Sequence, residues 1–318
     1  MAGQSDFFVK CISLSVILFL FSGNAHAQSV WGPEDQRGAA NYITSAKVVE
    51  AASLITEGKI YELGHVYEES MPKGGRTFRL SIIGSGPSDP PNSLVGNGDF
   101  FAGEIGQIGT QFDALGHAGY RGEGPMKDDL FYNGFKGSEV YSAKGLKNLG
   151  VENARPFFTR GVLIDVAEYK GTERLEPGYE ITVKDLQQTL TKQGVLIKEG
   201  DVVLIRTGHG QLWDVDGDAY YDWSAQPGIG VLAASWLVNQ KVVIVGSDNI
   251  GIEVIPYSKG DTGWPVHLLL LKESDVHLLE SMDLEELHED KLYEFAFMFS
   301  PIPIKGGTGS PGNPIAIK

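Results

Sequence analysis

The chain has 318 residues, 41 acidic against 26 basic, for a net charge of −15. A surface this acidic repels a phosphate backbone, so nucleic acid is not an expected partner, and solubility is the plainest consequence of the charge. The single cysteine, Cys11, lies in a segment expected to be removed; without it there is no disulfide or thiolate site, and a metal must be held by histidine, carboxylate or amide oxygen.

The chain begins with one basic residue, Lys10, an apolar run over 11–21, and Ala25-His26-Ala27. This is the order of a secretory signal peptide, with cleavage expected after Ala27 and a secreted or periplasmic mature chain over 28–318. The apolar run is too short for a membrane-spanning helix, and no second candidate follows, so no membrane partner is expected. An uncleaved anchor is the alternative. Losing Asp6 and Lys10 together leaves the net charge unchanged.

Thr44 or Ser45 can cap a helix carrying Val48, Val49, Ala52 and Ile55 at helical spacing, stopped by Gly58. Residues 71–99, rich in Gly, Pro, Ser and Asn, read as a long loop, of the kind that often covers an active site. The runs GVLIDV (161–166), DVVLIRT (201–207) and KVVIVG (241–246) read as buried strands. Between them, Val183, Leu186 and Leu190 mark a helix over 183–193 ending at Gly194, and 229–239 reads as a second, buried helix. YEFAFMFSPIPI (293–304) alternates large apolar residues and reads as a strand, and the tail 306–314 reads as loop. Strands alternating with helices imply one α/β domain with a mixed, partly parallel sheet flanked by helices.

Residues 106–119, GQIGTQFDALGHAG, concentrate Gln107, Gln111, Asp113 and His117. On an extended chain 107, 109, 111 and 113 share a face, so two amides and a carboxylate point one way, with a turn at Gly116. Asp113 is the natural cation ligand, and His117 is either a ligand or a general acid/base. The competing reading is a polar strand end with capping residues.

The segment resembles the signature His-x-Gly-Thr-His-x-Asp-x-Pro-x-His of the cyclase family of metal-dependent hydrolases, which includes bacterial kynurenine formamidase and isatin hydrolase. Here it stands as Gln107-Ile-Gly109-Thr110-Gln111-Phe-Asp113-Ala-Leu-Gly-His117. Trp31-Gly-Pro-Glu-Asp35 through Asn41, LIRTG (204–208), GSDNIGIEVIP (246–256) and the tail GGTGSPGNPIAI are also similar, so the likeness spans nearly the whole mature chain. The resemblance implies the family's swivelling β/β/α fold, a homo-oligomer, metal ligation by Asp113, His267 and Glu280, and a catalytic role for His117. Gln107 and Gln111 replace two metal-binding histidines, and Leu115 replaces the proline. An amide oxygen is a weak, hard ligand beside an imidazole. One divalent ion, manganese or zinc, is therefore expected instead of two, with the glutamines as weak ligands or substrate-orienting amides.

Among other candidates, His209 follows a buried strand and is either a substrate contact or a loop histidine, and His65 has a weaker claim. His277 and His288 lie in acidic stretches and read as solvated. Asp248 and Glu253 either orient metal ligands or cap turns. Trp31, Trp213, Trp223 and Trp264 suit an aromatic pocket or the core equally. The tail lacks a P-loop lysine, and without a Gly-x-Ser-x-Gly elbow or a cysteine a covalent acyl-enzyme is not expected.

The functional expectation is a metal-dependent hydrolase that opens a cyclic or formyl amide in a small-molecule substrate, with His117 as general acid/base. The alternatives are a lactone or ester hydrolase, a lyase or cyclising enzyme on the same site, or a non-catalytic periplasmic binding protein of the same fold.

Overall fold

The apolar β-branched runs become the middle of a nine-stranded mixed sheet in the computed structural model, which describes residues 29–84, 96–258, 260, 261 and 263–318. The expected signal peptide, 1–27, lies outside the described residues. In chain order the strands are β1 (Ile60–Glu62), β2 (Phe78–Gly84), β3 (Asn97–Gly103), β4 (Gln111–Asp113), β5 (Phe157–Asp165), β6 (Glu180–Ile181) and β7 (Val202–Arg206). They continue with β8 (Gly228–Ile229), β9 (Ile244–Ser247), β10 (His277–Glu280), β11 (Glu294–Phe299), β12 (Gly309–Pro311) and β13 (Ile315–Ile317). The large sheet runs β1-β13-β11-β5-β7-β9-β10-β4-β12. Its centre, β5-β7-β9-β10, is parallel and both flanks are antiparallel. Val162, Leu163, Val203, Leu204, Ile244 and Val245 have no solvent exposure. Continuous burial of successive residues is what covering both faces of a parallel sheet requires, and it explains the unbroken apolar runs.

The helix Val183–Gln193 forms as its pattern predicts. Thr182 and Asp185 make a reciprocal capping box, Gly194 closes the helix in the left-handed conformation, and Leu186 and Leu190 face the core. In the second expected helix, Val231–Asn239, Ala233, Ala234 and Leu237 are buried but Leu232 is exposed, while Gly228 and Ile229 form β8 instead.

Three expectations need correction. The first helix, Ser45–Ala52, is capped by Thr44 but turns Lys47 and Ala51 inward and leaves Val49 and Ile55 exposed. A buried ion pair of Lys47 Nζ with Asp201 Oδ1, at 2.6 Å, orients it in place of an apolar stripe. The expected loop 71–99 holds β2 and the start of its partner β3, paired from Phe78↔Gly103 to Gly84↔Asn97. Phe78, Leu80 and Ile82 keep the two-residue period of a strand inside a turn-rich composition; residues 85–95 lie outside the described residues. The expected loop 306–314 contributes β12, because the open edge of β4 supplies a backbone partner for it, and β13 follows directly beside β1.

Candidate active site

The site forms where the parallel centre meets its antiparallel flank. β10 pairs with β4 so that Glu280 stands across from Gln111 and Leu278 from Asp113. Side chains alternate along a strand, so Gln111, Asp113 and Glu280 share one face while Phe112 and Leu279 enter the core on the other. Extended geometry holds only for 111–113. Residues 107–110 bend, with Gly109 at φ +61°, yet Gln107 still reaches the same point. A turn closed by His117 N–H donating to Ala114 O at 2.9 Å brings His117 back over Asp113. His267 ends the short helix Pro265–His267, which continues as a π-helical turn, Leu268–Glu273, leading to β10.

These side chains converge at the base of a cavity of about 620 Å³, which Gln107, Gln111, His117, His267 and Glu280 help to line. Gln107 Nε2 donates to Asp113 Oδ1 at 2.8 Å and lies 3.2 Å from His117 Nδ1. Gln111 Nε2 donates to Glu280 Oε2 at 2.6 Å. Glu253, after β9, accepts from His267 Nδ1 at 2.6 Å and from the backbone N–H of Val266 and His267. His267 Nε2 is then left 3.0 Å from Glu280 Oε1 and 3.9 Å from Asp113 Oδ2. His117 Nε2 is 3.6 Å from the same Asp113 oxygen.

With the His267 proton on Nδ1, three buried oxygens at this point have no hydrogen-bond donor: Asp113 Oδ2, Glu280 Oε1 and Gln111 Oε1. Buried acceptors left this way cost about 1–3 kcal/mol each, more when charged. They sit beside a histidine whose proton is committed to Glu253 on the far side of its ring. Burial lowers the His267 pKa, but hydrogen bonds to Glu253 and Glu280 outweigh it and push the value up to about 10. Asp113 is fully buried, and burial, reinforced by Glu280, drives its pKa upward against the pull of His117, His267 and Gln107. The His267 shift reflects the carboxylates around it: raised that far, the ring carries a second proton on Nε2, towards Glu280 Oε1. Donor atoms of Asp113, His117 and His267 lie within 4.8 Å of one another, close enough for one ion.

The cavity wall is aromatic. Trp223 meets Trp264 edge-on at 5.4 Å, and Trp264 meets His267 at 5.0 Å. Trp264 is itself left-handed, at φ +60°, a conformation that costs a bulky side chain of order 1–3 kcal/mol. Its ring fits only because residue 251 is glycine; a Cβ there would come within 2.8 Å of it.

The structure thus brings Gln107, Gln111, Asp113, His117, His267 and Glu280 around one cavity. Of the four tryptophans weighed from sequence, Trp223 and Trp264 line it. Trp213 packs in a smaller core stacked on His65 at 4.1 Å, and Trp31 lies edge-on to Tyr42 at 4.9 Å. His209 is buried against Tyr220 O, away from the cavity. Asp248 caps a turn through the N–H groups of Thr207 and Gly208. The solvated readings of His277 and His288 are overturned. His277 is fully buried at the start of β10, between Arg37 O and Asp113 O, and burial pushes its pKa down to about 4. His288 is half-buried and holds Asp165 Oδ2 at 2.6 Å. Arg76 and Tyr221, also in the wall, carry no sequence motif that would have singled them out.

Residues 30–254 match the Cyclase family model, described as "Putative cyclase". Among solved structures, a novel cyclase is 36% identical, with 91% of this chain and 96% of that one covered at a TM-score of 0.80. Isatin hydrolase A from Ralstonia solanacearum is 21% identical, covering 86% and 98% at a TM-score of 0.59. An isatin hydrolase bound to the product analogue thioisatinate is 20% identical, covering 85% and 94% at 0.56. At these lower identities the likeness is one of fold. No curated protein matches the chain.

Proposed function

The chain belongs to the cyclase family, and on that footing we propose that it is a metal-dependent hydrolase that opens a cyclic or formyl amide. The observation that carries this reading is the cluster of donor-less buried oxygens on Asp113, Glu280 and Gln111, facing His267 Nε2. Two carboxylates, an imidazole oriented by Glu253 and an amide oxygen suit one manganese or zinc ion. Bound there, the ion would polarise a scissile carbonyl and lower the pKa of a water.

His117 is the proton carrier in this reading. Asp113 as a metal ligand is ionised, so its Oδ1 accepts and faces the amide nitrogen of Gln107. The same amide nitrogen lies 3.2 Å from His117 Nδ1 and so holds the ring in place. His117 takes up the proton that the attacking water loses and hands it to the leaving nitrogen as the carbon–nitrogen bond breaks. Gln107 thereby acts as a positioning residue and Gln111 as the further oxygen ligand. Two of the similar structures are isatin hydrolases, and isatin is a cyclic amide; this favours an amide over a lactone.

The test is a panel of cyclic amides, N-formyl amines and lactones, assayed with added Mn²⁺ or Zn²⁺ alongside metal analysis. Turnover of an amide with one bound equivalent is expected, whereas neither uptake nor turnover would leave a binding protein. We also propose export after cleavage at Ala27, testable by N-terminal sequencing of the mature protein. A homo-oligomer is proposed too: the two-stranded β2–β3 ribbon exposes Leu80, Ile82, Ile83 and Phe100, and isolated ribbons are marginal in water. Light scattering would read the oligomeric state.

A further inference from the structure

We infer that Arg76 anchors a carboxylate on the substrate, so that the molecules taken into this cavity are anionic; the inference rests on the cavity being the hydrolase site. The wall carries two arginines, Arg76 and Arg121. Arg121 is well exposed and already faces Asp129 Oδ2 at 3.4 Å. Arg76 is half-buried and, among the described residues, pairs with no carboxylate. Its guanidinium lies against the phenol of Tyr221, a second wall residue.

That position is built. Arg76 N–H donates to Lys73 O at 2.9 Å, closing a turn through Gly74 (φ +55°) and Gly75 (φ +82°). The turn lies directly on Tyr221: a Cβ at Gly74 would fall 2.5 Å from the Tyr221 ring. The turn and the ring beneath it seat the guanidinium at the cavity wall.

The charge arrangement gives this cation a purpose. A chain of net charge −15 offers an anion no general attraction, and in the metal-free cavity Glu280 adds to the negative wall. Against that background a local cation is the strongest means of holding a substrate carboxylate, and beside its contact with Tyr221 the Arg76 guanidinium has further N–H groups for one. Trp223 and Trp264 supply flat apolar surface beside it. The substrate class that fits is a planar amide carrying a carboxylate away from the scissile bond.

The test uses the full mature chain stripped of metal with EDTA, so that neither an ion nor turnover contributes. The probes are 3-phenylpropionate and its neutral amide, compared by calorimetry. A roughly tenfold or greater preference for the acid is expected, since charge-assisted hydrogen bonds are about twice as strong as neutral ones. Arg76→Gln should abolish that preference while keeping the wild-type melting curve, and Arg76→Lys should retain part of it. Equal affinities in the wild type, no measurable binding of the acid, or a preference that survives in Arg76→Gln but disappears in Arg121→Ala would each overturn the assignment. Failure of the hydrolase reading would appear separately, as absent turnover with metal restored.

Discussion

Glu253→Gln is the substitution that most directly probes the proposed metal centre. Glu253 is 1% exposed, lies outside the proposed ligand set, and serves His267 through a 2.6 Å bond to Nδ1. Its oxygens also accept from the N–H groups of Val266 and His267, at 3.2 and 3.1 Å. Glutamine keeps the volume but removes the charge that makes the imidazole a better donor, and its NH₂ cannot accept from a backbone N–H. Replacing such a partner of a metal-binding histidine typically costs 10–100-fold in metal affinity, about 1.4–2.7 kcal/mol. The assay is competition between EDTA-treated protein and a chelator for Mn²⁺ or Zn²⁺, wild type against variant, with melting curves of the metal-free forms as a control. An affinity within twofold of wild type would refute the placement of His267 as a ligand. So would an equal loss in a variant destabilised far from the cavity.

Other outcomes follow from the same geometry. His117→Ala should lower turnover by roughly a hundredfold or more with metal content unchanged, whereas loss of metal would make His117 a ligand. Metal analysis of the wild type should return one tight equivalent, and the double substitution Gln107→His with Gln111→His should raise it toward two; two tight equivalents in the wild type would refute the single-ion reading. Burial, aided by nearby Asp35, pushes the Asp275 pKa up to about 7 from an ordinary 3.8, so between those values the folded chain holds a proton that the unfolded chain releases. The stability this carboxyl contributes is full below about pH 4 and lost as the pH rises through 7. Asp275→Asn should therefore raise the melting temperature at pH 8 and flatten its dependence between pH 5 and 8, with a ceiling of about 4 kcal/mol; an unchanged pH profile would count against it.

The elements read correctly from sequence are those whose signal is local. β5, β7 and β9 announce themselves as β-branched apolar runs because both faces are covered. The helix 183–193 is bounded by a capping box and a left-handed glycine that act within a few residues. The misread ones depend on distant partners. The first helix turns on Lys47 because Asp201 lies 154 residues away. The acidic neighbours of His277 imply a solvated side chain, but strand pairing encloses it between Phe112 and Phe157.

The candidate site divides along the same line. By itself the sequence determined that Gln107, Gln111, Asp113 and His117 would be near one another, since a strand and a turn of 11 residues leave them nowhere else to go. It also determined which atom types were on offer. Only the tertiary structure decided that Glu280 stands across from Gln111, that Glu253 takes the Nδ1 proton of His267, and that three acceptors are buried without a donor. Those relations are set by strand register and by the packing of a helix against a sheet, which join residues more than a hundred positions apart. Whether a polar cluster is a solvated strand end or a cation site turns on desolvation, and desolvation is a property of the enclosed cavity that no stretch of chain possesses alone.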